Sequence, residues 1–127
     1  AISSMQVDRI GHGIRVLEDY SLVNVLLERN IMLEVCPTSN VASGVSPNYF
    51  MHPLPRLIAN GVRTTINTDD PLVCNITLSE EMHCSVTQMP LTMDDLKRQT
   101  MIAAESAFLP PEEKAALVEK YRDWLEV

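Results

Sequence analysis

Val62-Arg63-Thr64-Thr65-Ile66 runs directly into Asn67-Thr68-Asp69-Asp70-Pro71. The first stretch is β-branched and suits a strand. The second is built from turn formers, and its proline cannot extend a strand ladder. The join therefore predicts a short strand with two carboxylates at its C-terminal end. Neighbouring residues at a strand end point in different directions, so Asp69 and Asp70 can serve different partners. One carboxylate can hold a metal while the other accepts a hydrogen bond from a substrate. A plain polar turn satisfies Asn67-Thr68-Asp69-Asp70-Pro71 equally.

Upstream, the pattern repeats. Ile31-Met32-Leu33-Glu34-Val35 is a compact apolar run that stops at Cys36-Pro37, which predicts a second strand. Asp8-Arg9-Ile10-Gly11-His12-Gly13 is short and ends in glycine, as a first strand would. Between the first two strands, Leu22, Val25 and Leu26 mark one face of a helix over residues 18–30. Before the third, residues 52–60 predict a short helix, with Gly61 just past its end. Strand, helix, strand, helix, strand at this spacing argues for parallel β/α units.

The remainder reads as helical. Thr77 and Glu80 have capping-box spacing before Met82-to-Gln88. Thr92 can cap a helix from Met93 to about Phe108, and Pro111 can open a last helix ending near Leu125. Residues 42–50 and 71–76 read as loops, with no internal repeat.

Bulk properties limit the function. The 127 residues are 46% hydrophobic and 21% charged, which permits a buried core. The net charge is −7. Residues 1–68 hold five acids and five bases, whereas 69–127 hold twelve acids and five bases. That acidic half would repel a nucleic acid, so none is expected as a partner. No apolar run approaches the roughly 20 residues of a membrane span, so no membrane partner is expected either. Ala1-Ile2-Ser3-Ser4-Met5-Gln6 lacks the regions of a signal peptide and has no initiator Met, an opening expected inside a longer protein. The three cysteines, Cys36, Cys74 and Cys84, form no CxxC pair. Reduced, mostly buried thiols fit a cytoplasmic location.

His12 sits between two glycines, which allow a tight turn and leave room beside the imidazole. It can exchange a proton or bind metal, although a structural histidine fits the same triplet. Glu34, inside an apolar strand, calls for a cation such as Arg9 or Arg63. His52, before Pro53, and His83, on an amphipathic helix, read as structural or exposed, and the seven methionines read as core packing.

Taken together, three motifs resemble the adenosine deaminase family in order and spacing. They are Arg9-Ile10-Gly11-His12-Gly13, Glu34-Val35-Cys36-Pro37-Thr38-Ser39-Asn40, and Asn67-Thr68-Asp69-Asp70-Pro71. His52-Pro53-Leu54 also matches, and the likeness covers roughly residues 7–108. The resemblance implies an α/β fold: about three β/α units plus terminal helices, the C-terminal part of a TIM-type (β/α)8 barrel. It also implies that residues 1–127 form one segment of that domain. In such barrels the chemistry sits at the C-terminal ends of strands.

The activity implied is zinc-dependent hydrolysis of adenosine to inosine and ammonia. By the same resemblance, His12 positions and polarises the attacking water or hydroxide. Asp69 is a zinc ligand that also contacts that water, and Asp70 hydrogen-bonds the purine. The family's His-x-His pair, a further metal-binding histidine and a proton-passing glutamate have no counterpart in these residues. The expectation is an inactive isolated chain that needs an N-terminal half of the barrel, or self-association, to cover its open sheet. Adenine, AMP and modified-nucleoside deaminases share the motifs. A non-catalytic scaffold that uses the acidic helices as a contact face is the reading from another class.

Overall fold

A computed structural model of the chain describes Ser4 and residues 6–127. Most of the opening hexapeptide therefore lies outside the described residues. Three parallel strands form one sheet in the order β1 (Arg9–Gly11), β2 (Met32–Val35), β3 (Thr64–Ile66). The register pairs Gly11 with Glu34, and Glu34 with Thr65. Strands β2 and β3 thus end level at Val35 and Ile66, β1 ends one register step earlier at Gly11, and His12, Cys36 and Asn67 leave the sheet at the same end.

A 3-10 turn (Ile14–Glu18) and α1 (Tyr20–Glu28) connect β1 to β2. The helix expected over 18–30 forms as α1, which starts at Tyr20 because Asp19 takes an extended conformation and accepts a hydrogen bond from Ser21 N–H. Between β2 and β3 lie α2 (Pro37–Ala42) and α3 (Leu54–Ala59), and Gly61 follows α3 at φ 77°. Beyond β3 come α4 (Pro71–Cys74), α5 (Leu78–Thr87), α6 (Met93–Glu105) and α7 (Pro111–Leu125).

Both capping boxes form: Thr77 with Glu80 opens α5, and Thr92 with Asp95 opens α6. Two segments differ from the loop and strand-end readings. Residues 37–42 are helical because Pro37 occupies the first turn and a buried carboxylate accepts its next N–H. Residues 71–74 are helical because the Asp70 side chain accepts from Leu72 and Val73 N–H. Glycine-like φ values at the end of β1 are tightly enforced. A Cβ on Gly13 would lie 2.8 Å from Leu33 Cδ2, and its φ is 69°.

Packing explains why the sheet is stable on its helix side. Leu33, Val35 and Ile66 join Leu26 of α1, Leu54 and Leu57 of α3, and Leu96 of α6 in one buried cluster. Thr64, on the same face, is fully buried and donates to Gln99 Oε1 of α6 at 2.7 Å. Of the methionines, Met32 and Met89 are buried as core residues, whereas Met51 and Met93 are exposed. Glu34 does find its cation: Arg9 Nε lies 3.2 Å away, whereas Arg63 pairs with Glu105. Cys36 is buried; Cys74 and Cys84 are half-buried, and all three are free thiols. Among the described residues no helix is long and apolar enough to cross a membrane.

Candidate metal and purine site

The C-terminal strand ends converge on an open cleft of about 410 Å³, lined by Gly11, His12, Glu34, Cys36, Asn67 and Asp69 among others. His12 and Asp69 both follow strands in the left-handed region, at φ 58° and 60°. Such angles are uncommon without glycine and cost about 1 kcal/mol each. They turn both side chains toward the same space. His12 N–H is held by Glu34 O at 2.8 Å, and Asn67 N–H by Val35 O at 2.9 Å, so each turn continues the sheet pairing.

His12 Nε2 lies 3.6 Å from Asp69 Oδ2. That is too long for a direct hydrogen bond. Asp69 Oδ2 also accepts from Ser39 Oγ at 2.7 Å. Cys36 lies close to both, and the ligand atoms of His12, Cys36 and Asp69 fall within 4.8 Å of one another. Burial pushes the Cys36 thiol up to about 12, with help from the carboxylates of Asp69, Glu81 and Glu34. It stays protonated at neutral pH, and its S–H donates to Glu34 O at 3.7 Å.

The donor set fits a divalent metal in part. A catalytic zinc usually takes three protein ligands. The carboxylate of Asp69, oriented by Ser39, is the part of such a set that this chain supplies most plainly.

Asp70 is placed differently. Its Oδ1 caps α4 at 3.1 Å from Leu72 N and 3.2 Å from Val73 N. It borders the cleft beside Asp69 without lining it, and its second oxygen has no part in the cap. His83 lies on α5, away from the cleft lining.

Sequence reasoning gave no role to three residues that build this site. Glu81, on α5, is fully buried, and its Oε1 accepts from Thr38 N–H at 2.8 Å. Burial pushes its carboxyl up, opposed by that hydrogen bond. Glu81 thereby pins the first turn of α2, the helix that carries Ser39 and Asn40. Asn40 is buried and contacts His12 Nδ1 through Nδ2 at 3.3 Å. His52 is buried as well, and its Nε2 is 3.1 Å from Asn40 Oδ1. A buried amide or carboxylate on a helix leaves no local signature; only the fold brings these groups together.

Comparison with known proteins places the chain in a family. A profile of the adenosine deaminase family matches residues 1–124. The adenine deaminase of Rhizobium leguminosarum bv. trifolii is 39% identical over 93% of this chain. Mouse adenosine deaminase is 36% identical over 98% of it. The crystal structure of an adenine deaminase from Arthrobacter aurescens superposes with a TM-score of 0.89, at 29% identity over 95% of the chain. An amidohydrolase from Burkholderia ambifaria, solved with bound zinc, superposes at 0.84, at 26% identity over 94%. The chain spans only 37% of the length of the Rhizobium enzyme, 36% of the mouse enzyme, 37% of the Arthrobacter chain and 34% of the Burkholderia chain. It has the α/β architecture of their barrels over that share, as their C-terminal portion. The chain belongs to the adenosine deaminase family.

Proposed function

We propose that residues 1–127 supply one part of the active site of a zinc-dependent hydrolytic deaminase that acts on the 6-amino group of a purine. The observation that carries this reading is the facing pair His12 Nε2 and Asp69 Oδ2, 3.6 Å apart beyond the C-terminal ends of β1 and β3. Net, C6 gains a bond to the water oxygen, loses its bond to nitrogen, and ammonia leaves.

When bound, the metal would lower the pKa of its water so that hydroxide is available near neutral pH. Asp69 would hold the metal and keep its carboxylate aimed through Ser39. His12 would hydrogen-bond the attacking water through Nε2 and fix its direction of approach. Asp70 would use the oxygen not engaged in capping α4 to orient the purine ring. The helix cap is an asset here, since two N–H groups lock the carboxylate that reads the substrate.

Adenosine is the substrate we propose, giving inosine. Free adenine is the second reading, favoured by the 39% identity to the Rhizobium adenine deaminase against 36% to the mouse adenosine deaminase. The metal ligands not supplied here would come from an N-terminal barrel portion, which would also pair with the edge strands β1 and β3. Self-association would be the other way to cover that sheet.

The test is complementation. The 127-residue chain is assayed with zinc, alone and co-expressed with the N-terminal portion of the Rhizobium enzyme, on adenosine and adenine separately. Deamination only in the complex supports the reading, and the preferred substrate separates the two alternatives. Metal-independent partner binding with no deamination in any arm would favour a scaffold instead.

A further inference from the structure

His52 was read from sequence as structural or exposed. Its surroundings give it a definite chemical task. Leu54 is the first residue of α3, so its N–H has no acceptor within the helix. His52 Nδ1 accepts that N–H at 3.0 Å, in a buried setting. A nitrogen that accepts carries no proton, so a neutral His52 must carry its proton on Nε2. Desolvation pushes the imidazole down to about 4, which keeps it neutral at physiological pH.

The consequence propagates. His52 Nε2–H can only donate, and the atom facing it, at 3.1 Å, must be an acceptor. That fixes the side-chain amide of Asn40, whose oxygen and nitrogen could otherwise be exchanged. With Oδ1 turned to His52, Asn40 presents Nδ2, a donor, to His12 Nδ1 at 3.3 Å. His12 Nδ1 must then accept, and its proton sits on Nε2, the nitrogen facing Asp69.

We infer that His52 and Asn40 are positioning residues: a relay from the α3 N-terminus that sets His12 in the Nε2–H tautomer. A backbone N–H more than one side chain away thus decides which atom of His12 carries the proton in the cleft. His12 enters the reaction as a hydrogen-bond donor from Nε2, with its direction set before substrate arrives. The tautomer follows from hydrogen-bond logic alone. Its use in catalysis rests on the proposed deaminase reading.

The test is 15N NMR of the chain labelled at its histidine imidazoles, above pH 7, with signals assigned through His83→Gln and His12→Gln. In the wild type, His12 and His52 should both show an unprotonated Nδ1 and a protonated Nε2. Asn40→Asp replaces the amide by a carboxylate that accepts from both sides. It should shift His12 to the Nδ1–H form, or to the doubly protonated form, and leave His52 unchanged. His52→Gln keeps a donor near the Nε2 position and should preserve the His12 tautomer. His52→Met keeps bulk without a donor and should give a mixture.

A wild-type His12 protonated on Nδ1, or an even mixture, overturns the relay whatever the variants do. So does an unchanged His12 in both folded Asn40→Asp and folded His52→Met. If Asn40→Asp fails to fold, the contrast between His52→Gln and His52→Met decides. In the complemented enzyme, Asn40→Asp should lower kcat by about 100-fold or more, with KM little changed. A shifted tautomer with unchanged kcat would sink the catalytic use of His12 while leaving the relay intact.

Discussion

Just before β3, the Arg63 guanidinium is held by Glu105 at 2.9 Å, Asn30 at 3.2 Å and Ser106 at 3.3 Å. At the opposite end of the sheet, His12 and Asp69 face each other at 3.6 Å without a direct hydrogen bond. Asn30 and Asp69 are both left-handed, at φ 55° and 60°. Asn30 sits where an asparagine ends a helix at little cost. Asp69 and His12 sit where a strand would have continued. One end closes its polar groups on each other. The other spends backbone strain to hold two polar groups apart. In a barrel, reactive groups belong at the C-terminal ends of strands, and under the proposed function one short sheet would separate stability from chemistry.

If that division is right, variants at the two ends should fail in different assays. The largest effect belongs to His12→Ala and Asp69→Ala. Each should lower kcat/KM of the complemented enzyme by about 10²–10⁴-fold. Urea denaturation should show a stability change under about 1 kcal/mol, since both side chains are roughly two-fifths exposed. A stability loss as large as that of a core variant would collapse the distinction. Leu57→Ala, in the fully buried layer between helix and sheet, should cost about 2–5 kcal/mol in the same denaturation experiment.

A smaller effect comes with acid. His52 titrates near 4 when folded and near 6.5 when free, so the unfolded chain binds more protons between those values. Its contribution to stability is therefore complete above about 6.5 and is lost progressively as pH falls toward 4. Glu81 acts in the opposite sense. Its carboxyl is raised by burial, so stability from this group falls as pH rises through and above its unfolded value. Melting temperatures at pH 7, 6, 5 and 4 should show a steeper acid loss in Glu81→Gln than in His52→Gln. The reverse order would refute the assignment of these slopes. The smallest effect is expected for Arg63→Ala. A partly exposed ion pair is worth about 0–1 kcal/mol, and activity should be unchanged.

Much of this fold was legible because its signals are local. Thr77 with Glu80 announces α5, a β-branched run announces β3, and Gly61 closes α3. The places that were misread depend on distant partners. Residues 37–42 became α2 because Glu81, from α5, satisfies the Thr38 N–H. Residues 71–74 became α4 through the Asp70 cap, whose four-residue helix is too short to show periodicity. At the site, His12 and Asp69 were legible as reactive residue types at predicted strand ends. Glu81, Asn40 and His52 were not. A carboxylate, an amide and an imidazole in those stretches look like solvent-facing groups until tertiary packing buries them.

The sequence by itself determined the alternation of strands and helices, the parallel sense of the sheet and the three strand-end motifs, because each follows from residues adjacent in the chain. The tertiary structure alone decided the register of the strands, that His12 Nε2 and Asp69 Oδ2 share one cleft, and that His12 Nδ1 is met by Asn40. Those facts rest on register and burial between segments some 30 residues apart, and no local pattern encodes a distance of that kind.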